Sequence, residues 1–165
     1  MSMLKIYTDG ACSNNPGPGG WGAIFTGRRK LRTISGHALS TTNNRMELLA
    51  VIKAYNYVYK NLSKIKTRDI VLYSDSAYVV NAINNNWLDS WVRNKWRTSK
   101  GGYVKNTDLW TEYVIIRRKL HNKGVNIKLV KVKGHSGDTY NEYVDKVARE
   151  QVMVARQHLD NLGGE

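Results

Sequence analysis

The sequence predicts an α/β fold: one mixed five-stranded sheet with helices on both faces. Three observations carry this expectation. The chain opens with three short strand-like runs joined by turns. The apolar spacing then switches to a helical period, and after that strand-like and helical segments alternate. A meander followed by βαβ-type crossovers puts the strands into one sheet with helices packed on its faces.

In chain order, Lys5 to Asp9 reads as the first strand, and the stretch Asn14 to Gly20 as a turn-rich loop. Trp21 to Thr26 and Leu31 to Gly36 read as the second and third strands. Leu48, Ile52, Tyr55, Tyr59 and Leu62 fall at i, i+4, i+7, i+11 and i+14, a helical stripe, with Thr42, Asn43 and Asn44 as candidate caps before it. Ile70 to Asp75 is a continuous apolar run of the kind found in a strand buried on both faces. Ser76 can cap a short helix carrying Val79, Val80 and Ile83. The stretch Trp87 to Lys105 is less regular and dense in Trp, Arg and Lys. Asn106 or Thr107 opens a helix with Leu109, Tyr113, Ile116 and Leu120 on one face, ended by Gly124. Val125 to Val132 is the fifth strand, Gly134 to Gly137 a loop, and Val144, Val147, Ala148, Val152 and Ala155 mark the last helix. One domain over residues 1–160 and a frayed tail over 161–165 are expected.

Lysine and arginine number 26 against 13 acids, a net charge of +13. So large an excess repels itself and implies a polyanionic partner. No stretch approaches the apolar length of a membrane span, and the first residues run straight into a strand pattern rather than a leader. The single cysteine, Cys12, excludes an internal disulfide framework, fits a reducing compartment and points to the cytoplasm; a monomer is the default.

Two strands end alike, Tyr7-Thr-Asp9-Gly and Tyr73-Ser-Asp75-Ser. Ligands of open α/β sheets bind beyond the carboxyl ends of strands. If these two strands are parallel neighbours, Asp9 and Asp75 lie together. Glu47, one position before Leu48, and Asp145, one after Val144, border the apolar stripes of their helices and should point partly inward. Four carboxylates together disfavour one another's ionised forms, and a hard divalent cation such as Mg²⁺ is the common compensation. Taken singly, Asp75 reads equally well as a helix cap.

At this point the residues resemble the ribonuclease H type 1 family. The resemblance rests on Asp9-Gly, Asn15-Pro-Gly-Pro-Gly-Gly-Trp-Gly-Ala, Thr42-Asn-Asn-Arg-Met-Glu47-Leu, Ser74-Asp75-Ser, and Lys133-Gly-His135-Ser-Gly with Asp145 ten residues on. It runs from about Leu4 to Gln151. It implies a ribonuclease H-like fold and an endonuclease that cuts the RNA strand of RNA/DNA hybrids, leaving 5′-phosphate and 3′-hydroxyl ends. Asp9, Glu47, Asp75 and Asp145 would hold two Mg²⁺ ions, with Mn²⁺ able to substitute, and His135 would have an auxiliary catalytic part.

For substrate, the resemblance assigns Asn15, Asn43 and Asn44 to the minor groove of the hybrid, where 2′-hydroxyls line one strand. Loop and cap duty is the other reading of these asparagines. Thr42 and Asn106 match positions that grip a phosphate of the DNA strand. The segment containing Trp87, Trp91, Arg93, Lys95, Trp96, Arg97, Lys100 and Lys105 interleaves aromatic and basic residues, as a nucleic-acid surface does. Bacterial members carry a basic protrusion there. Trp87 and Trp96 also read as core residues. Ala77, Val92 and Asn94 depart from the pattern and put one groove contact and part of the basic run in doubt. A non-catalytic binding module and a DNA-processing nuclease of the same fold compete with this reading. The four acids argue against the first, and the asparagine set against the second.

Overall fold

The computed structural model describes residues 4–27, 31–133 and 138–163. Its elements are β1 (Leu4–Cys12), β2 (Gly17–Thr26), β3 (Leu31–Thr41), α1 (Asn43–Lys60), β4 (Asp69–Ser74), α2 (Ala77–Asn84), α3 (Trp87–Arg93), α4 (Thr107–Asn122), β5 (Asn126–Lys131) and α5 (Thr139–Gly163). The strands form one mixed sheet in the order β3-β2-β1-β4-β5. The meander β1-β2-β3 is antiparallel, and β4 and β5 run parallel to β1.

Period-two alternation divides the sheet residues between two cores. Ile6, Ala23, Phe25, Ile70, Leu72 and Leu129 join the apolar stripes of α1, α2 and α4 in the main core. Tyr7 and Ile24 face the other way and pack on Val144 of α5. That helix sits close because β2 is glycine-rich beneath it: a Cβ at Gly20 would lie 2.5 Å from the Ala148 carbonyl oxygen. Helix ends follow the sequence signals. Thr42 and Ser76 cap α1 and α2 by accepting from Arg45 N–H and Val79 N–H. Gly124, at φ +75°, turns the chain out of α4.

Four expectations change. β4 is buried on one face, while Val71 and Tyr73 on the other are only half-buried, because α5 covers β1 to β3. β3 continues to Thr41, well past Gly36. The basic stretch contains the helix α3 and an Arg97–Tyr103 bridge. The last helix continues through Asn161 to Gly163, where a frayed tail was expected.

Candidate active site

The parallel register of β1 and β4 ends at Thr8 opposite Ser74. Asp9 and Asp75 are the next residue on each strand path, which brings them together as the sequence anticipated. Asp9 does not end its strand, however; β1 runs on to Cys12, and Asp9 pairs with Gly22 of β2. Glu47, buried in α1, reaches the same point from the opposite face. Gly10 makes this approach possible, since a Cβ there would stand 2.4 Å from Glu47 N and the Met46 carbonyl carbon. The freed Gly10 N–H donates to Asp9 Oδ1 (2.9 Å) and Glu47 Oε1 (2.5 Å).

Oxygens of Asp9, Glu47 and Asp75 all lie within 4.8 Å of one another. Asp9 is 5% and Glu47 6% exposed. Burial first, and then the Asp75 charge, push the Asp9 carboxyl up to about 8. Burial and the two aspartates hold Glu47 well above its ordinary value. Asp75 is not the cap of α2, which is Ser76. Its Oδ1 is buried without a hydrogen-bond partner among the described residues. An orphaned acceptor within three crowded carboxylates is unfavourable unless a cation completes the site. The donor set, oxygen only, fits a hard divalent ion. Asp145 stands at the rim. It contributes to raising Asp9, yet it lies outside the tight group of three, and its Oδ2 accepts from Arg149 Nε at 3.0 Å. His135, with Gly134, Ser136 and Gly137, lies outside the described residues.

Around this pocket, Asn15 Oδ1 accepts from Asn43 N–H (2.9 Å), tying the β1–β2 loop to the start of α1. Asn15, Asn43 and Asn44 are exposed beside Thr42, the cap of α1. Of the tryptophans, Trp91 and Trp96 pack partly against the main core. Trp87 is 46% exposed and is not a core residue. Arg93, Lys95, Arg97, Lys100 and Lys105 are exposed, and Asn106 is half-buried at the start of α4. Tyr103, not among the residues expected from the sequence, is 73% exposed with Arg97 stacked over its ring at 4.7 Å. Its signal was the same aromatic and basic interleaving, continued past Gly101 and Gly102.

The profile of the RNase H family, described as "RNase H", matches residues 1–153. The chain is 45% identical over 156 residues to a "Ribonuclease H" of Caldicellulosiruptor saccharolyticus, covering 94% of this chain and all of that one. Among solved structures it is similar to a type 1 RNase H with the type 2 active-site motif (TM-score 0.74, 27% identity, 94% of this chain and 74% of that one). It also shares its fold with the RNase H1 called LC11, solved in complex with RNA/DNA hybrid (TM-score 0.69, 21% identity, 92% and 98%). With the profile spanning nearly the whole chain and that relative matching end to end, the protein belongs to the RNase H family.

Proposed function

We propose that the protein is a metal-dependent endonuclease that hydrolyses the RNA strand of RNA/DNA hybrids, leaving 5′-phosphate and 3′-hydroxyl ends. One observation carries the reading: buried carboxylates converge at the ends of the β1–β4 ladder in a chain of net charge +13. Such a chain attracts a polyanion, and this pocket repels one until cations are bound. The family is metal-dependent, and the hybrid held by its structural neighbour suits the exposed asparagines here.

Asp9, Glu47 and Asp75, joined by Asp145, would hold two Mg²⁺ ions, with Mn²⁺ as a substitute. The chemistry such ions would supply there is a lowered pKa for a water and stabilisation of a departing oxygen. The remaining work falls to the chain. Gly10 N–H fixes the Asp9 and Glu47 carboxylates. Burial keeps bulk water from them. Asn43 and Asn44, with Asn15 bracing the helix start, would hydrogen-bond 2′-hydroxyls, and Thr42 and Asn106 would hold a DNA phosphate. Trp87, Trp91, Arg93, Lys95, Trp96, Arg97, Lys100 and Lys105 form the clamp for the duplex backbone. His135 serves proton transfer or product release. The protein acts as a monomer of one domain, residues 1–160, in the cytoplasm. No described helix is long and apolar enough to cross a membrane. The test is incubation with end-labelled RNA/DNA hybrid, duplex DNA and duplex RNA, with and without Mg²⁺. Cleavage confined to the RNA of the hybrid is expected, and metal-independent or DNA-directed cleavage overturns the reading.

A further inference from the structure

A hydrogen-bonded group joins α1, α2 and α4 beside the pocket, and the carboxylates do not use it. The main-chain N–H of Arg45 donates to Thr42 Oγ1 (3.2 Å). Its guanidinium donates to Asn106 Oδ1 (3.1 Å) and, through two nitrogens, to both oxygens of Asp108 (3.0 and 2.7 Å). Asn106 Nδ2 donates to the Tyr78 hydroxyl (3.0 Å), which also accepts from Trp110 Nε1 (2.9 Å). Trp110 is fully buried, so the group is anchored in the core.

Counting donors fixes the polarity of its exposed side. A guanidinium only donates, so Asn106 must turn Oδ1 toward Arg45 and its amide group away. One amide hydrogen goes to Tyr78, and the second has no partner among the described residues. Tyr78 fills both hydroxyl lone pairs with incoming N–H groups, so its own hydrogen is free only to donate. Thr42 likewise keeps its hydroxyl hydrogen. The Arg45 guanidinium beside Asp108 holds that carboxyl below its ordinary range, so the one acid in the group is neutralised by its partner.

We propose that Arg45 is a positioning residue: anchored on Asp108, it locks the Asn106 carboxamide so that Asn106, Tyr78 and Thr42 offer hydrogen-bond donors to a phosphate diester of the DNA strand. This rests on the hybrid-cleaving reading and adds Arg45 and Tyr78 to it. The oxygens of a phosphate diester only accept, which suits the free donors of Asn106, Tyr78 and Thr42. If Arg45 instead bound the phosphate directly, releasing it from Asp108 would strengthen binding. As a positioning residue, its release frees the carboxamide and weakens binding.

The experiment compares wild type, R45Q, D108N and Y78F on hybrids carrying a neutral methylphosphonate at successive DNA positions. In wild type, one position should weaken binding about tenfold, the loss of one to two charge-assisted bonds. In R45Q and D108N that position should become no worse than its neighbours. KM for unmodified hybrid should rise about five- to tenfold, with a smaller fall in kcat. Y78F should lose about two- to threefold. Should R45Q fail to fold, D108N and Y78F carry the same comparison. A wild-type phosphonate pattern retained in the folded variants, or tighter binding by D108N, overturns the proposal. A substrate-free readout separates it from the functional reading: the two side-chain amide resonances of Asn106 should be well resolved in wild type and collapse toward free-amide positions in D108N. If the protein does not prefer hybrid, the functional reading falls. If the Asn106 resonances do not move, the positioning role falls.

Discussion

Asp9 and Glu47 are almost wholly out of solvent and share one backbone donor, whereas Arg93, Lys95, Arg97 and Lys100 all stand in water. The pocket is held by regular elements, two paired strands and the second turn of an 18-residue helix. The basic segment hangs on a seven-residue helix and one isolated bridge, with Lys95 and Trp96 both in the left-handed region (φ 54° and 64°). That backbone costs about 1–2 kcal/mol per residue, and the packing of Trp96 on the core helps to offset it. Like charges crowded in a buried pocket raise one another's energy and need rigid support. Charges that only attract a duplex are solvated and tolerate a looser mount. The two regions should therefore fail differently.

The largest difference is expected from Asp9→Asn. Hybrid cleavage should vanish, while the melting temperature of the metal-free protein holds or rises, because a ligand is lost and repulsion is relieved. Near-normal turnover would remove the pocket from the chemistry.

Neutralising Arg93, Lys95, Arg97 and Lys100 together should do the reverse. Counterion release gives a salt slope of roughly −0.9 per phosphate contacted on B-form DNA. KM should rise steeply at moderate salt and its salt dependence flatten, with the saturated rate little changed. Measuring kcat and KM at two salt concentrations decides it, and a collapse of kcat at fixed KM would erase the contrast between the regions.

The third comparison uses pH without substrate. Asp9 and Glu47 have folded-state pKa values raised above their unfolded ones, Asp9 to about 8. Groups shifted this way contribute stability that is full below the unfolded values near 4 and is lost as pH rises through the folded value. The metal-free protein should lose on the order of 2–4 kcal/mol between pH 5 and pH 9. Mg²⁺ or Asp9→Asn should flatten the curve. Denaturant melts across that range that show no slope would mean the carboxylates are not crowded in solution.

The smallest effect concerns the border between the regions. Replacing Asn43 and Asn44 with Ala should weaken hybrid binding by about 0.5–1.5 kcal/mol per lost hydrogen bond, and duplex DNA binding by less. Equal losses on both would leave Asn43 and Asn44 as loop-shaping residues only.

Much of the pocket was legible because acids at strand ends and at the edges of helical stripes have a spatial meaning once the strands are taken as parallel. Asp9, Glu47 and Asp75 meet on that logic. Asp145 was harder, since a position beside Val144 says which face it borders but not that Arg149, four residues on, takes one of its oxygens. α3 escaped because, among the described residues, Leu88 and Trp91 are what it contributes to the main core, too few to establish a period. β3 ran on past Gly36 because an edge strand is held by main-chain pairing to β2, which leaves little apolar trace. The continuous apolar run of β4 suggested two covered faces; how far α5 reaches across the sheet is tertiary information. Arg45 was invisible as anything but a surface charge, since its partners come from 61 and 63 residues away.

Trp91 of the basic segment meets the buried Trp110 edge-on, ring centroids 5.8 Å apart. Two indoles this close couple their electronic transitions, so the pair should give a signed exciton couplet in circular dichroism that neither ring produces alone. The signal depends on α3 being seated on α4. It therefore offers a label-free optical gauge of whether the segment stays docked as a duplex is taken up, and Trp91→Phe should erase it with the fold intact.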